Sequence, residues 1–191
     1  MKLLLQLFLI LIVILPTVSR SELYLAAMGG TSKLASDNPE LDSAFKGQSY
    51  GFMAGYQLIS LFALEMGYKQ NHVKGTVRAR VFNSSALAND QVSVDMKSNI
   101  TMFGLRLTFF TFVNIFGGYA SHALDTTVKI NNTDVSNNRE YDSLQGSDGG
   151  AYYGLGARLP LMKFDLFGEV SAFQLTSTAF IDAQVGLRVR F

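Results

Sequence analysis

The chain has 191 residues, 48% of them apolar, and its 16 Lys plus Arg against 15 Asp plus Glu leave a net charge of +1. That length makes one domain, and so weak a charge gives neither the basic field that nucleic acid needs nor the acidic run of a disordered tail. The absence of Cys excludes disulfides, thiolate metal sites and a cysteine nucleophile together.

The amino terminus reads as an export signal. Lys2 precedes an apolar run over residues 3–15, broken only by Gln6, and then come Pro16 and the small residues Thr17, Ser19 and Ser21. The run is too short to span a bilayer comfortably, and the small residues place cleavage after Ser21. The expected division is therefore a signal peptide over residues 1–21 and one β-barrel domain over residues 22–191.

Beyond the signal the apolar residues alternate with period two, which predicts strands. The first runs from Glu22 to about Met28. The second covers residues 49–56, with Tyr50, Phe52, Ala54 and Tyr56 on one face, and residues 57–60 turn into the third. There Phe62, Leu64, Met66 and Tyr68 oppose Ala63, Glu65, Gly67 and Lys69. The fourth ends over residues 101–109, a tight turn near Phe110 and Thr111 leads to the fifth at 113–120, and the sixth covers 151–159. A turn at 160–163 opens the seventh, 164–173. In the eighth, Ile181, Ala183, Val185, Leu187, Val189 and Phe191 alternate with Asp182, Gln184, Gly186, Arg188 and Arg190. A helix would scatter these residues over all sides.

Short connections (57–60, the Phe110 turn, 160–163) alternate with long ones (31–48, 71–99, 121–149), the last outer loop near 175–178 being brief. That asymmetry belongs to outer-membrane barrels and has no reason in a soluble one. The expected fold class is all-β, an eight-stranded antiparallel transmembrane barrel. Its face poor in bulk carries Glu65, Arg106, Arg158, Glu169, Asp182, Arg188 and Arg190, and a lumen of eight strands is just wide enough for side chains to fill it. These residues are expected to form a plug of ion pairs.

The two faces exchange character partway along three strands. Past Tyr68 the formerly apolar even positions become His72, Lys74, Thr76, Arg78 and Arg80, while Val73, Val77, Ala79 and Val81 take the odd ones. On the fourth strand Val92, Val94, Met96 and Ile100 oppose Gln91, Ser93, Asp95, Lys97 and Asn99. After Tyr119, Leu124, Val128 and Ile130 oppose Asp125, Thr127 and Lys129. A strand leaving lipid for water without losing register shows this switch. Strands three to five are therefore expected to continue above the membrane as a sheet with a polar outer face.

Catalytic signals are thin. Ser121 and His122 are adjacent, and neighbours in a strand point to opposite faces. His72 has no carboxylate at a suggestive spacing, and two His without Cys argue against structural zinc. No cofactor is expected. The Asn83-Ser84-Ser85, Asn99-Ile100-Thr101 and Asn131-Asn132-Thr133 triplets match a glycosylation pattern, which means little in a bacterial barrel, and Asn-rich segments such as 131–138 read as polar loop tips.

Together these residues resemble the small outer-membrane barrel family typified by OmpX and by the transmembrane domain of OmpA. The terminal segment Val185-Gly186-Leu187-Arg188-Val189-Arg190-Phe191 looks like the signature that family presents to the barrel-assembly machinery, through Val185, Leu187, Val189 and Phe191. The resemblance implies an integral outer-membrane protein in contact with outer-membrane lipid, with a structural or adhesive role and a surface ligand held by outer loops. Other classes still open are a narrow channel for small or apolar solutes and a lipid A-modifying barrel enzyme.

Overall fold

The computed structural model describes residues 22–36, 39–78, 91–131, 139–176 and 179–191. The signal segment and the loop tips around residues 83–85 and 132–138 lie outside them. Eight strands follow one another around a closed antiparallel ring: β1 (Glu22–Leu34), β2 (Lys46–Ile59), β3 (Phe62–Arg78), β4 (Gln91–Phe109), β5 (Val113–Asn131), β6 (Arg139–Leu161), β7 (Phe164–Leu175) and β8 (Ala179–Arg190). A short helix, α1 (Pro39–Ala44), joins β1 to β2. Closure of β8 on β1 pairs every strand on both sides, and the Phe191 amide donates to the Leu23 carbonyl at 2.9 Å. An unpaired edge in hydrocarbon would leave backbone groups unsatisfied at several kcal/mol each.

Alternation sorts the side chains as expected. Met66, Phe103, Leu105, Leu155, Val170 and Val185 stand on the outside, each 44–70% exposed. A belt of this kind is far too large for a surface in water and suits lipid. The exposed Tyr50, Tyr119 and Tyr153 mark its upper border, with Tyr68 beside them.

The strands are unequal in length. β1, β2, β7 and β8 have 12–14 residues, whereas β3, β4, β5 and β6 have 17, 19, 19 and 23. Spanning needs about nine to eleven, so the long four rise well above the belt. The protruding sheet thus has four strands, one more than the alternation predicts. Even positions of β4 and odd positions of β3 face inward from bottom to top, so register is unbroken where the faces change character.

Two strand limits differ most from the expectation. β1 runs to Leu34 rather than Met28, and β6 begins at Arg139 rather than Ala151. The Gly29-Gly30 and Gly149-Gly150 pairs look like strand ends, yet they lie within strands. A Cβ at Gly30 would collide with the Ala183 carbonyl oxygen, and one at Gly150 with that of Gln174. These glycines allow close approach between strands rather than ending them.

At the other end the turns are tight. Phe112 N–H donates to the Phe109 carbonyl at 3.2 Å, and the two residues between, Phe110 and Thr111, have φ of 49° and 66°. A left-handed backbone suits Asn-Gly in a hairpin, and a β-branched residue there is strained. Thr111→Gly is expected to raise stability in urea by about 1 kcal/mol, since the Thr111 carbonyl that accepts from Arg158 Nε at 2.8 Å is kept. Unchanged or lower stability would mean that the turn carries no such strain.

Candidate functional site

The lumen is filled by two polar layers. In the lower one Glu65 Oε1 accepts from Arg106 Nε at 2.5 Å and from the Tyr24 hydroxyl, and Arg106 Nη1 donates to Glu169 at 2.5 Å. Arg188 lies 3.8 Å from Glu65 and 3.9 Å from Asp165, with its guanidinium 4.3 Å above the Tyr24 ring. Asp165 also faces Arg158 at 3.5 Å and Arg190 at 3.2 Å, and Arg190 reaches Glu22 at 3.8 Å. In the upper layer Lys69 binds Asp182 at 2.8 Å and lies over Phe173. Asn71 donates to the same carboxylate, and Ser49 links Asn71 to Gln184.

Glu65, Arg106, Arg158, Glu169, Arg188 and Arg190 thus meet in one network, while Asp182 belongs to the second layer. Sequence reasoning left Lys69 and Asp165 out of the charge set, although both lie on the inward parity of their strands. Glu22, Glu65, Asp165, Glu169 and Asp182 balance Lys69, Arg106, Arg158, Arg188 and Arg190 among these layers. Burying a charge without a partner is what costs most, so the balance matters more than the count. Between the layers lies a cavity of about 20 Å³, lined by Glu65, Lys69, Arg106, Glu169 and Gln184 among others. It has room for about one water molecule, not for a continuous column.

Above the belt the sheet is polar outside and apolar within. Val73, Val77, Val92 and Ile100 are buried on its inner face. Beside them a cleft of about 400 Å³ is walled by Leu34, Leu41, Phe45, Val92, Val94, Met96 and Val128. On the outer face Tyr68 and Gln70 donate to Asn99 at 3.0 and 2.9 Å, which gives the glycosylation-like Asn a place in the ladder of polar contacts.

His72 does have a carboxylate, contrary to the sequence reading. Its Nε2 lies 2.7 Å from Asp95, 23 positions away in sequence, and Lys74 binds the other carboxylate oxygen at 2.8 Å. Partial burial works against the Asp95 charge, but Lys74 and His72 outweigh it and hold the carboxyl below its ordinary range. A lowered carboxyl stabilises the folded state above its unfolded value, and that contribution is lost as pH falls through the folded one. Protection of the upper β3–β4 amides, taken relative to the intrinsic exchange rate at each pH, is therefore expected to fall as pH drops below about 4, and Asp95→Asn should abolish that step. Persistence of the step in Asp95→Asn would assign it to another group.

His122 is buried at 2% exposure. Ser98 Oγ lies 3.1 Å from its Nδ1 and Asp148 2.5 Å from its Nε2. These are the residue types of a hydrolytic triad, but Ser98 is only 1% exposed and no carbonyl could approach it. The trio pins β4, β5 and β6 together. Ser121 points to the opposite, exposed face, as the alternation requires.

No protein-family model and no curated protein matches the chain by sequence. Solved structures do. The Ail attachment invasion locus protein of Yersinia pestis, crystallised with the heparin analogue sucrose octasulfate, is 14% identical with a TM-score of 0.55, over 90% of this chain and 99% of that one. A major outer membrane protein of Thermus thermophilus is 8% identical, also with a TM-score of 0.55 over 90% and 99%. At such identity the likeness is one of fold, and the fold is the outer-membrane β-barrel, as the alternation and loop lengths predict.

Proposed function

We propose that the chain is an integral barrel of the bacterial outer membrane with a surface-interaction role, in adhesion or envelope structure, and no catalytic activity. The observation that carries this reading is the four-stranded extension of β3 to β6, which continues the barrel wall into water and there exchanges apolar for polar side chains. In this reading residues 1–21 are removed on export, and Val185, Leu187, Val189 and Phe191 present the last strand to the assembly machinery. The charged lumen acts as a plug that keeps the barrel shut, consistent with its buried, balanced pairs.

The test compares cells carrying the parent barrel with cells whose residues 74–95 and 126–144 are each replaced by Asn-Gly, heat-modifiable mobility confirming that both barrels fold. Heparin, whose analogue sucrose octasulfate was crystallised with Ail, and cultured animal cells are the first probes. Binding is expected to the parent and to fall, in the trimmed barrel, to the level of cells lacking the protein. Equal binding by both would remove the role from the extension. The parent in planar bilayers is expected to show no conductance steps; a steady open channel would replace the plug with a pore.

A further inference from the structure

The three short turns are not made for water. They cover residues 60–61, 110–112 and 162–163, and Lys163 is their one charged residue. Phe110 is 89% exposed and Met162 95%, at tips where a hydrated hairpin carries Asn, Asp or Gly. Ile59, at the mouth of the first turn, is exposed as well. Each turn also has a tip carbonyl taken by a side chain of the barrel. Gln57 Nε2 donates to the Ser60 carbonyl at 3.1 Å, Arg158 Nε to that of Thr111 at 2.8 Å, and Arg190 Nη2 to that of Met162. Two of these donors come from the charge network of the lumen, where both face Asp165. A carbonyl at a hydrated turn is satisfied by solvent and needs no such partner, whereas one inside a bilayer must find it within the protein.

Height agrees with this. Ile59, Phe110 and Met162 each lie nine residues below a tyrosine of the upper border, Tyr50, Tyr119 and Tyr153 respectively. At roughly 3.3 Å per residue and a tilt near 40° that is about 23 Å, against about 25 Å for the apolar band of such a barrel. No chain is left over to carry a turn into water below the band. We propose that the three turns lie within the inner leaflet, with Ile59, Phe110 and Met162 among the acyl chains of its phospholipids, so that the barrel ends there without a hydrated turn in the periplasm. Lys163 is long enough to reach the headgroups from that depth. The lower ion layer, which holds Arg158 and Arg190, then closes the lumen at the lipid border. The inference rests on the reading of the barrel as outer-membrane with its long strands outward.

The chain has no Trp, so Phe110→Trp and Met162→Trp each place a single reporter at a tip. Each full-length variant is folded into phosphatidylcholine vesicles, plain or brominated on the acyl carbons near the headgroup, with heat-modifiable mobility confirming the fold. Both reporters are expected to emit at short wavelength, to lose most of that emission to the bromines and to resist aqueous iodide. Leu155→Trp in the belt and Ala123→Trp above it calibrate the two environments, the first answering to bromines on deeper acyl carbons and the second to iodide. Iodide quenching of the tips to the level of Ala123→Trp, with Leu155→Trp still quenched by lipid, would overturn the inference and leave the membrane barrel standing. Failure of Leu155→Trp to answer to bromines would overturn the outer-membrane reading and this inference with it. The tips are read separately, so one folded variant decides where another does not fold, and Ile59→Trp supplies a third.

Discussion

Glu65→Gln is expected to lower the unfolding free energy in urea by about 3–5 kcal/mol, while Lys74→Gln costs about 1 kcal/mol or less. Glu65 is 3% exposed and is the shared acceptor for Arg106 and the Tyr24 hydroxyl, with Arg188 at 3.8 Å. An amide of the same shape keeps the packing but leaves two guanidinium groups facing each other with one carboxylate fewer. The cavity of about 20 Å³ beside it admits about one water molecule, too few to solvate the freed guanidinium. Lys74 also has a carboxylate partner, yet its side chain is 62% exposed and solvent screens the pair. Equal urea midpoints for the two variants would show that the charged face does not line a closed and filled interior.

Leu155→Arg is expected to cost about 2–4 kcal/mol in lipid vesicles, whereas Ala123→Arg is close to neutral. Leu155 is 61% exposed in the apolar belt, six residues above the lower end of β6 at Leu161, between its register partners Ile115 and Val170, which are themselves outward and apolar. If the belt faces hydrocarbon, an arginine there must reach for an interface or thin the bilayer. Ala123 occupies the same outward face of the neighbouring strand but lies above the tyrosine border, level with Asn99. A soluble barrel would tolerate both substitutions alike. An indifferent response at Leu155 would therefore take the belt out of the membrane, whatever the fold.

Much of this architecture is readable from the chain because a strand has only two faces. Phe103 and Leu105 against Arg106 settle which way β4 is turned, and the exchange at Thr101 and Asn99 locates the water boundary without any knowledge of the partner strands. Pairings across the lumen are a different matter. That Lys69 meets Asp182, 113 positions away, depends on the stagger between β3 and β8, which no single strand encodes. The same holds for His72 and Asp95, joined by the β3–β4 register rather than by spacing. The glycine pairs misled for a local reason: residues that relieve crowding in mid-strand are also the residues that end strands, and only the neighbour's carbonyl tells the two uses apart.

The register of β3, β4 and β5 is unbroken from bottom to top, and β6 keeps it as far as Thr126, which has a mechanical consequence. Nothing resembling a flexible tether separates the raised sheet from the part held in the bilayer, since the same hydrogen-bond ladders run from one to the other. A pull applied at the upper end therefore loads many backbone hydrogen bonds at once, along the strands and in shear, and passes straight into the wall of the barrel. On the proposed surface role, a partner grasped at the tip would be held by a stiff bracket that does not swivel to follow it, so its orientation at the cell surface would be set by the tilt of the strands in the membrane.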